Sequence, residues 1–225
     1  MQSAPKPTTI LPTYRPIAAD LRAEQTRRIV SAAAMEMFHI HGYARTTMES
    51  IAATAGVSPR TLYRHYGSKS ALFVATISVG AADFPEQLAA YVQRWPLRRS
   101  ILTAFANTAI DASDQSRALM HLVVTEDEVS QLWLSTAQRL LPRLANILRD
   151  ATPGDSGDTV AWEARAGALI GALNVGYRRW ATTPGSDLIG LVSEAVDAVL
   201  PILSPEAAGK HGAAPVKRAA RSPAT

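Results

Sequence analysis

The sequence predicts an all-α fold, and three observations carry that prediction. Alanine and leucine dominate over the β-branched and aromatic residues that strands favour, with aromatics at 6% of 225 residues. Apolar residues recur at helical spacing through most of the chain. The stretches that carry them end at Pro, Gly, Ser or Asp, the residues that start and stop helices. Apolar residues reach 47%, enough for a substantial core, and the length suits one or two domains. The absence of cysteine excludes disulfides, thiol nucleophiles and cysteine-ligated metals, and suits a reducing cytoplasm.

Charge is divided along the chain. Through residue 75 there are nine Lys or Arg against four Asp or Glu; residues 76–202 hold ten against fourteen, and the rest four against one. Basic ends bracket an acidic middle, as expected when one module meets phosphates and another does not.

Met1 to Ala19 carries Pro5, Pro7, Pro12 and Pro16 without helical period and reads as a flexible arm. It lacks the apolar run of a signal peptide. Arg15, Arg22, Arg27 and Arg28 are candidates to reach a DNA backbone or minor groove. Leu21 to Ile40 follows as an amphipathic helix with Ile29, Ala33, Met37 and Ile40 near helical spacing, broken by His41-Gly42-Tyr43. Thr47 is the expected N-cap of a short helix, Met48 to Ala55, that buries Ile51, Ala52 and Ala55 and ends at Gly56. Ser58 caps the next helix, Pro59 suits its first position, and Leu62 turns inward.

Two short helices joined by a tight turn, with Ala52 small enough for a close crossing, fit a helix-turn-helix. Pro59 to His65 then becomes the candidate reader of a DNA major groove. Pro59, Arg60, Thr61, Tyr63 and Arg64 point outward. Arginine pairs bidentately with guanine, threonine reaches bases or phosphates, and the Tyr63 and Tyr66 hydroxyls suit the sugar-phosphate edge. On these residues alone, an ordinary helical hairpin with incidental polar side chains fits as well. Gly67-Ser68-Lys69 stops this helix and caps another beginning at Ser70.

The whole string AAAMEMFHIHGYARTTMESIAATAGVSPRTLYRHYGSKSALF closely resembles the N-terminal DNA-binding domain of the TetR/AcrR family of transcriptional regulators, over Arg27 to Val79. The resemblance implies an all-α homodimer in which this domain binds DNA and a C-terminal domain dimerises and usually binds a small molecule. The DNA-binding set on this reading is Arg45, Thr47, Ser58, Pro59, Arg60, Thr61, Tyr63, His65, Tyr66 and Lys69. Of these, Thr47, Arg60, Thr61, Tyr63, His65, Tyr66 and Lys69 fall where the family contacts DNA, with Lys69 meeting a phosphate at a helix start.

Ser70 to Ala82 continues as a connecting helix, and Phe84-Pro85 marks a break before Glu86 to Trp95. Leu97 to Ala109 has Ile101, Leu102, Phe105 and Ala109 on one face, and Asp111 to Asp114 is a turn. Gln115 to Val124 is helical. Thr125 to Glu128 supplies a cap and acidic first turn for a helix from Asp127 to Leu140 or beyond, with Pro142 kinking it. The segment ALMHLVVTEDE is similar to part of the C-terminal domain of one TetR subgroup. Residues 152–158 form a loop, and Thr159 to Trp180 and Ser186 to Leu203 are the last two helices.

Ala164, Gly167, Ala168, Gly171 and Ala172 stud the first of these, which permits close helix approach. Family resemblance assigns the pair to a homodimer's four-helix interface; intramolecular packing fits the same residues. Charged residues interrupt both helices, so no membrane span is expected. From Ser204 onward the tail reads as disordered and basic, with Lys217, Arg218 and Arg221.

Catalytic signals are weak. His39 and His41 point apart on a helix, His39 exposed and His41 at its end; His121 lies in an apolar stretch and reads as a core residue; Glu126, Asp127 and Glu128 read as a helix start. Neither a phosphate loop nor a nucleophile elbow is present. An enzyme, a cofactor and a metal are therefore not expected.

The organisation expected is an arm at 1–19, a helix-turn-helix DNA-binding domain at 20–75, a helical effector-binding and dimerisation domain at 76–203 and a tail at 204–225. The function expected is a cytoplasmic homodimeric repressor on a palindromic double-stranded operator, released by a small, apolar effector; an activator or ligand-independent regulator is the alternative. Trp95, Phe105, His121, Trp133, Asn174 and Tyr177 are the candidate effector contacts.

Overall fold

A computed structural model describes residues 17–152 and 157–203. The expectations for Arg15 in the arm and for Lys217, Arg218 and Arg221 in the tail lie outside the described residues. Those residues form eleven helices and no strand.

Helix α1 (Ile17–Arg45) starts before the expected Leu21 and bends at Gly42, whose φ of 74° is open to glycine and strained for other residues. Thr46, wholly buried, donates its hydroxyl to the carbonyls of Met37 and Gly42 at 3.1 and 2.8 Å, restoring partners that the bend frees. The buried stripe of α1 is Val30, Ala33, Ala34 and Phe38. Ile29 and Ile40, expected inward, are 46% and 61% exposed. The correction is one of phase: apolar residues occupy both candidate stripes, and α4 selects the one carrying Phe38.

Helices α2 (Met48–Thr54) and α3 (Pro59–Tyr66) meet through a Schellman turn. Gly56 N–H reaches Ala53 O, Val57 N–H reaches Ala52 O, and Gly56 sits at φ 66°. Helix α4 (Lys69–Ile77) packs on α1 through Phe73, which meets Phe38 and Tyr43 edge-on at 5.2 Å each.

The expected connecting helix instead ends at Ser78, where α5 (Val79–Val92) begins. Pro85 does not break it: Phe84, Pro85 and Leu88 are buried together, and tertiary packing carries the helix past one missing N–H. Helix α6 (Leu97–Thr108) crosses α5 so closely that a Cβ on Gly80 would lie 1.8 Å from the Thr108 carbonyl oxygen.

Ser113 caps α7 (Asp114–Thr125). Helix α8 (Asp127–Gln138) has no side-chain cap; Thr125 instead ends α7. Pro142 opens a separate helix, α9 (Leu141–Asp150), rather than kinking α8, because proline suits a first turn better than an interior. Helices α10 (Thr159–Thr182) and α11 (Leu188–Leu203) form the most extensive pair. Arg117 of α7 secures their connection, donating to the carbonyls of Trp180, Thr183 and Ser186 and stacking over the Trp180 ring.

Candidate nucleic-acid interface and cavity

Local capping aims α3. Thr47 and Ser50 form a capping box on α2, and Ser58 accepts from Thr61 N–H at 3.1 Å to start α3. Leu62, 1% exposed, anchors α3 to the core with Tyr66 packed beside it, so Arg60, Tyr63, Arg64 and His65 turn outward. Arg60, Arg64 and His65 are exposed and make no side-chain hydrogen bond or ion pair among the described residues. Such donors on a helix fit base edges and phosphates. Tyr63 donates its hydroxyl to Glu49 at 3.1 Å, and that carboxylate raises the phenol's pKa. Tyr66 is half-buried, and burial raises its pKa too.

Lys69 is more committed than a simple phosphate contact requires. Its Nζ donates to the carbonyls of Tyr43 and Thr46 at 2.9 and 3.1 Å and stands 4.2 Å from the Tyr43 ring centre. Two of its three donors close the α1–α2 junction, leaving one for a phosphate. Beside it, Glu128 of α8 accepts from Ser70 at 2.8 Å and from Ser68 at 3.4 Å, while Ser70 also meets the Tyr43 hydroxyl at 2.8 Å. These contacts tie the start of α4 to α8.

A cavity of about 240 Å³ lies among α5, α6, α8, α9 and α10. Phe84, Phe105, Leu144, Ile170 and Leu173 supply apolar wall. Across it Trp133 Nε1 donates to Asn174 Oδ1 at 2.7 Å, and the Tyr177 ring contacts both Phe105 and Trp133. Burial pushes the Tyr177 phenol up to about 12, with a hydrogen bond to the Ile110 backbone opposing it. Ser78, the last cap of α4, lines this same cavity.

Residues 30–76 match the family model for bacterial regulatory proteins of the tetR family. The chain belongs to the TetR family. Among curated TetR-like regulators, it is 28% identical over 197 residues to TcmR of Streptomyces glaucescens, spanning 82% of this chain and 85% of that one. It is 27% identical over 199 residues to TtgR of Pseudomonas putida, spanning 80% and 92%. The fold is shared with Thermus thermophilus FadR at a TM-score of 0.56 and 21% identity, over 88% of this chain and 100% of that one. SmeT of Stenotrophomonas maltophilia aligns at a TM-score of 0.51 and 24% identity, over 77% and 88%. The TetR-family chain is thus a DNA-binding transcriptional regulator with an N-terminal helix-turn-helix.

Of the expected DNA-facing residues in this TetR-family head, Thr47 and Ser58 serve as caps, Pro59 opens α3, and Arg45 donates to the His41 carbonyl at 2.9 Å. Of the expected effector contacts, Phe105, Trp133, Asn174 and Tyr177 line this cavity. Trp95 and His121 do not. Trp95 stacks on Tyr91 at 4.9 Å outside it, and His121 is exposed on α7 rather than buried, because α7 packs through Leu119, Met120 and Val123. His39, expected exposed, is half-buried, with its Nε2 enclosed and unpartnered among the described residues.

Sequence reading missed Ser78 and Arg139 and took Glu128 only as part of a helix start. Each looks like routine helix-end chemistry locally; only the packing brings them to a cavity or a domain junction. No described helix is long and apolar enough to cross a membrane.

Proposed function

We propose that this chain is a cytoplasmic homodimeric repressor that places α3 of each protomer in successive major grooves of a palindromic operator and leaves DNA when a small, mainly apolar molecule fills the cavity. The observation that carries the reading is the path between the two sites. Helix α4 begins beside α3, where Glu128 holds its cap residues, and ends at Ser78 in the cavity wall. Helix α8 supplies Glu128 at one end and Trp133 in the cavity. An occupant that prefers one arrangement of α4 and α8 shifts the spacing of the reading heads, to the extent of its differential affinity.

Relatives support the reading: FadR of Thermus thermophilus is a repressor seen with lauroyl-CoA, and SmeT is seen with triclosan. Dimerisation is assigned to α10 and α11. Val160, Val175, Ile189 and Ile202 are exposed apolar residues there, at 72%, 54%, 40% and 56%, and Gly171 has open space around it.

Selection of random duplexes on the full-length protein tests this, followed by titration of the winning site at two salt concentrations. A palindromic winner with half-sites about one helical turn apart and steep salt dependence is expected. Failure to enrich any sequence would overturn it.

A further inference from the structure

The cavity's unspent polar groups point to the chemistry of what it holds. Thr108 and Thr136 donate their hydroxyls to the Ala104 and Leu132 carbonyls of their own helices at 2.8 and 2.9 Å, and Tyr177 is bonded to the Ile110 backbone. Three lining groups remain without a partner among the described residues. Ser78 Oγ is enclosed, in a residue 6% exposed, and has no hydrogen bond. A buried hydroxyl left unpaired is destabilising, so a ligand acceptor there is favoured.

Asn174 is oriented by necessity. Trp133 Nε1 can only donate, so the asparagine oxygen must face it and the NH₂ is left over. Arg139 caps the end of α8, lines the cavity, is itself exposed and makes no side-chain hydrogen bond or ion pair, so a guanidinium stands at the opening. The three can all donate, two of them only donate, and no Asp or Glu lines the cavity.

We propose that the cavity binds an amphipathic carboxylate, with its apolar body against Phe105, Ile170 and Leu173, its anionic head at Arg139, and any acceptor along the body met by Ser78 or Asn174. This rests on the reading of the cavity as the effector site and names the ligand class. Guanidinium–carboxylate pairing is bidentate and charge-assisted, so the head group discriminates strongly. The ligand touches Ser78, and through it the junction of α4 and α5.

Calorimetric titration of the full-length protein with two series tests the proposal: octanoate, octanol and octylamine, and phenylbutyrate, phenylbutanol and phenylbutylamine. In at least one series the carboxylate should bind about tenfold or more tighter than its alcohol, with the amine weakest. Arg139→Gln, at an exposed position whose side chain has no hydrogen bond or ion pair to lose, should remove that preference while leaving alcohol affinity unchanged. Alcohols binding as tightly as carboxylates, or a preference surviving Arg139→Gln, would overturn the ligand class and leave the cavity reading intact. No binding in either series would overturn both.

Discussion

Replacing Gly176 with alanine tests how α10 and α11 meet. A Cβ on Gly176 would lie 2.3 Å from Cγ2 and 3.0 Å from Cα of Val192, where carbon contacts are ordinarily about 3.5–4.0 Å. Val192 is wholly buried, and a β-branched side chain on a helix has one strongly preferred rotamer, so its methyl cannot swing aside cheaply. Moving it would not relieve the contact with Cα in any case; the helices must separate. Overpacking of this kind costs about 1–3 kcal/mol, whereas alanine improves a helix interior by about 1 kcal/mol over glycine. Because the clash reaches Cα as well as the side chain, its cost falls at the upper end of that range, about 2–3 kcal/mol, and a net loss of about 1–2 kcal/mol is expected, at about 2–4 °C of melting temperature per kcal/mol.

Gly171 on the same helix is the control, since nothing lies within 4 Å of its Cβ position in one protomer. Gly171→Ala should stabilise each protomer by about 1 kcal/mol and weaken dimerisation, because the added methyl points into the proposed seam. Unfolding followed by circular dichroism at several protomer concentrations separates the two effects. Gly176→Ala melting at or above the parent would refute the close crossing. A dimer constant unaltered by Gly171→Ala would refute the seam.

In operator titrations, Arg60→Ala should cost about 1–3 kcal/mol and relax preference at one base position; equal losses on all sequences would make it a phosphate contact instead. Lys69→Ala should weaken all sequences alike and, because Nζ holds the Tyr43 and Thr46 carbonyls, also lower the melting temperature; an unchanged melt would show the junction does not need it. Glu128→Ala should speed amide exchange in the first turn of α4 and leave α10 protected, and equal protection in α4 would remove the link to α8. Tyr177 gives a pH signature. Its phenol titrates near 10 unfolded and about 12 folded, so the unfolded state releases its proton first; stability is whole below pH 10 and falls as pH rises towards 12. Tyr177→Phe should flatten that fall, and an identical alkaline profile would count against its burial.

The reading head was legible because its determinants are local. Thr47, Ser58 and Ser68 cap within three residues of themselves, Gly56 and Gly67 terminate with positive φ, and Leu62 is the one buried residue of α3. Nothing distant is needed to draw those helices. Local signals misled where two assignments were both satisfiable. The face of α1 fell to Phe38 over Ile40 because of an aromatic partner on α4, and Pro85 stayed helical because its surroundings are buried.

The sequence by itself determined the all-α class, the helix-turn-helix and its outward-facing Arg60, Tyr63 and Arg64, since these follow from spacing and caps within a few residues. Only the tertiary structure decided that Ser78, Arg139 and Asn174 share a cavity from which Trp95 and His121 are absent, that Glu128 ties α8 to α4, and that Gly176 rather than Gly171 carries the α10–α11 crossing. Those facts depend on which faces of distant helices meet, and a helix pattern fixes which residues share a stripe without fixing what that stripe will touch.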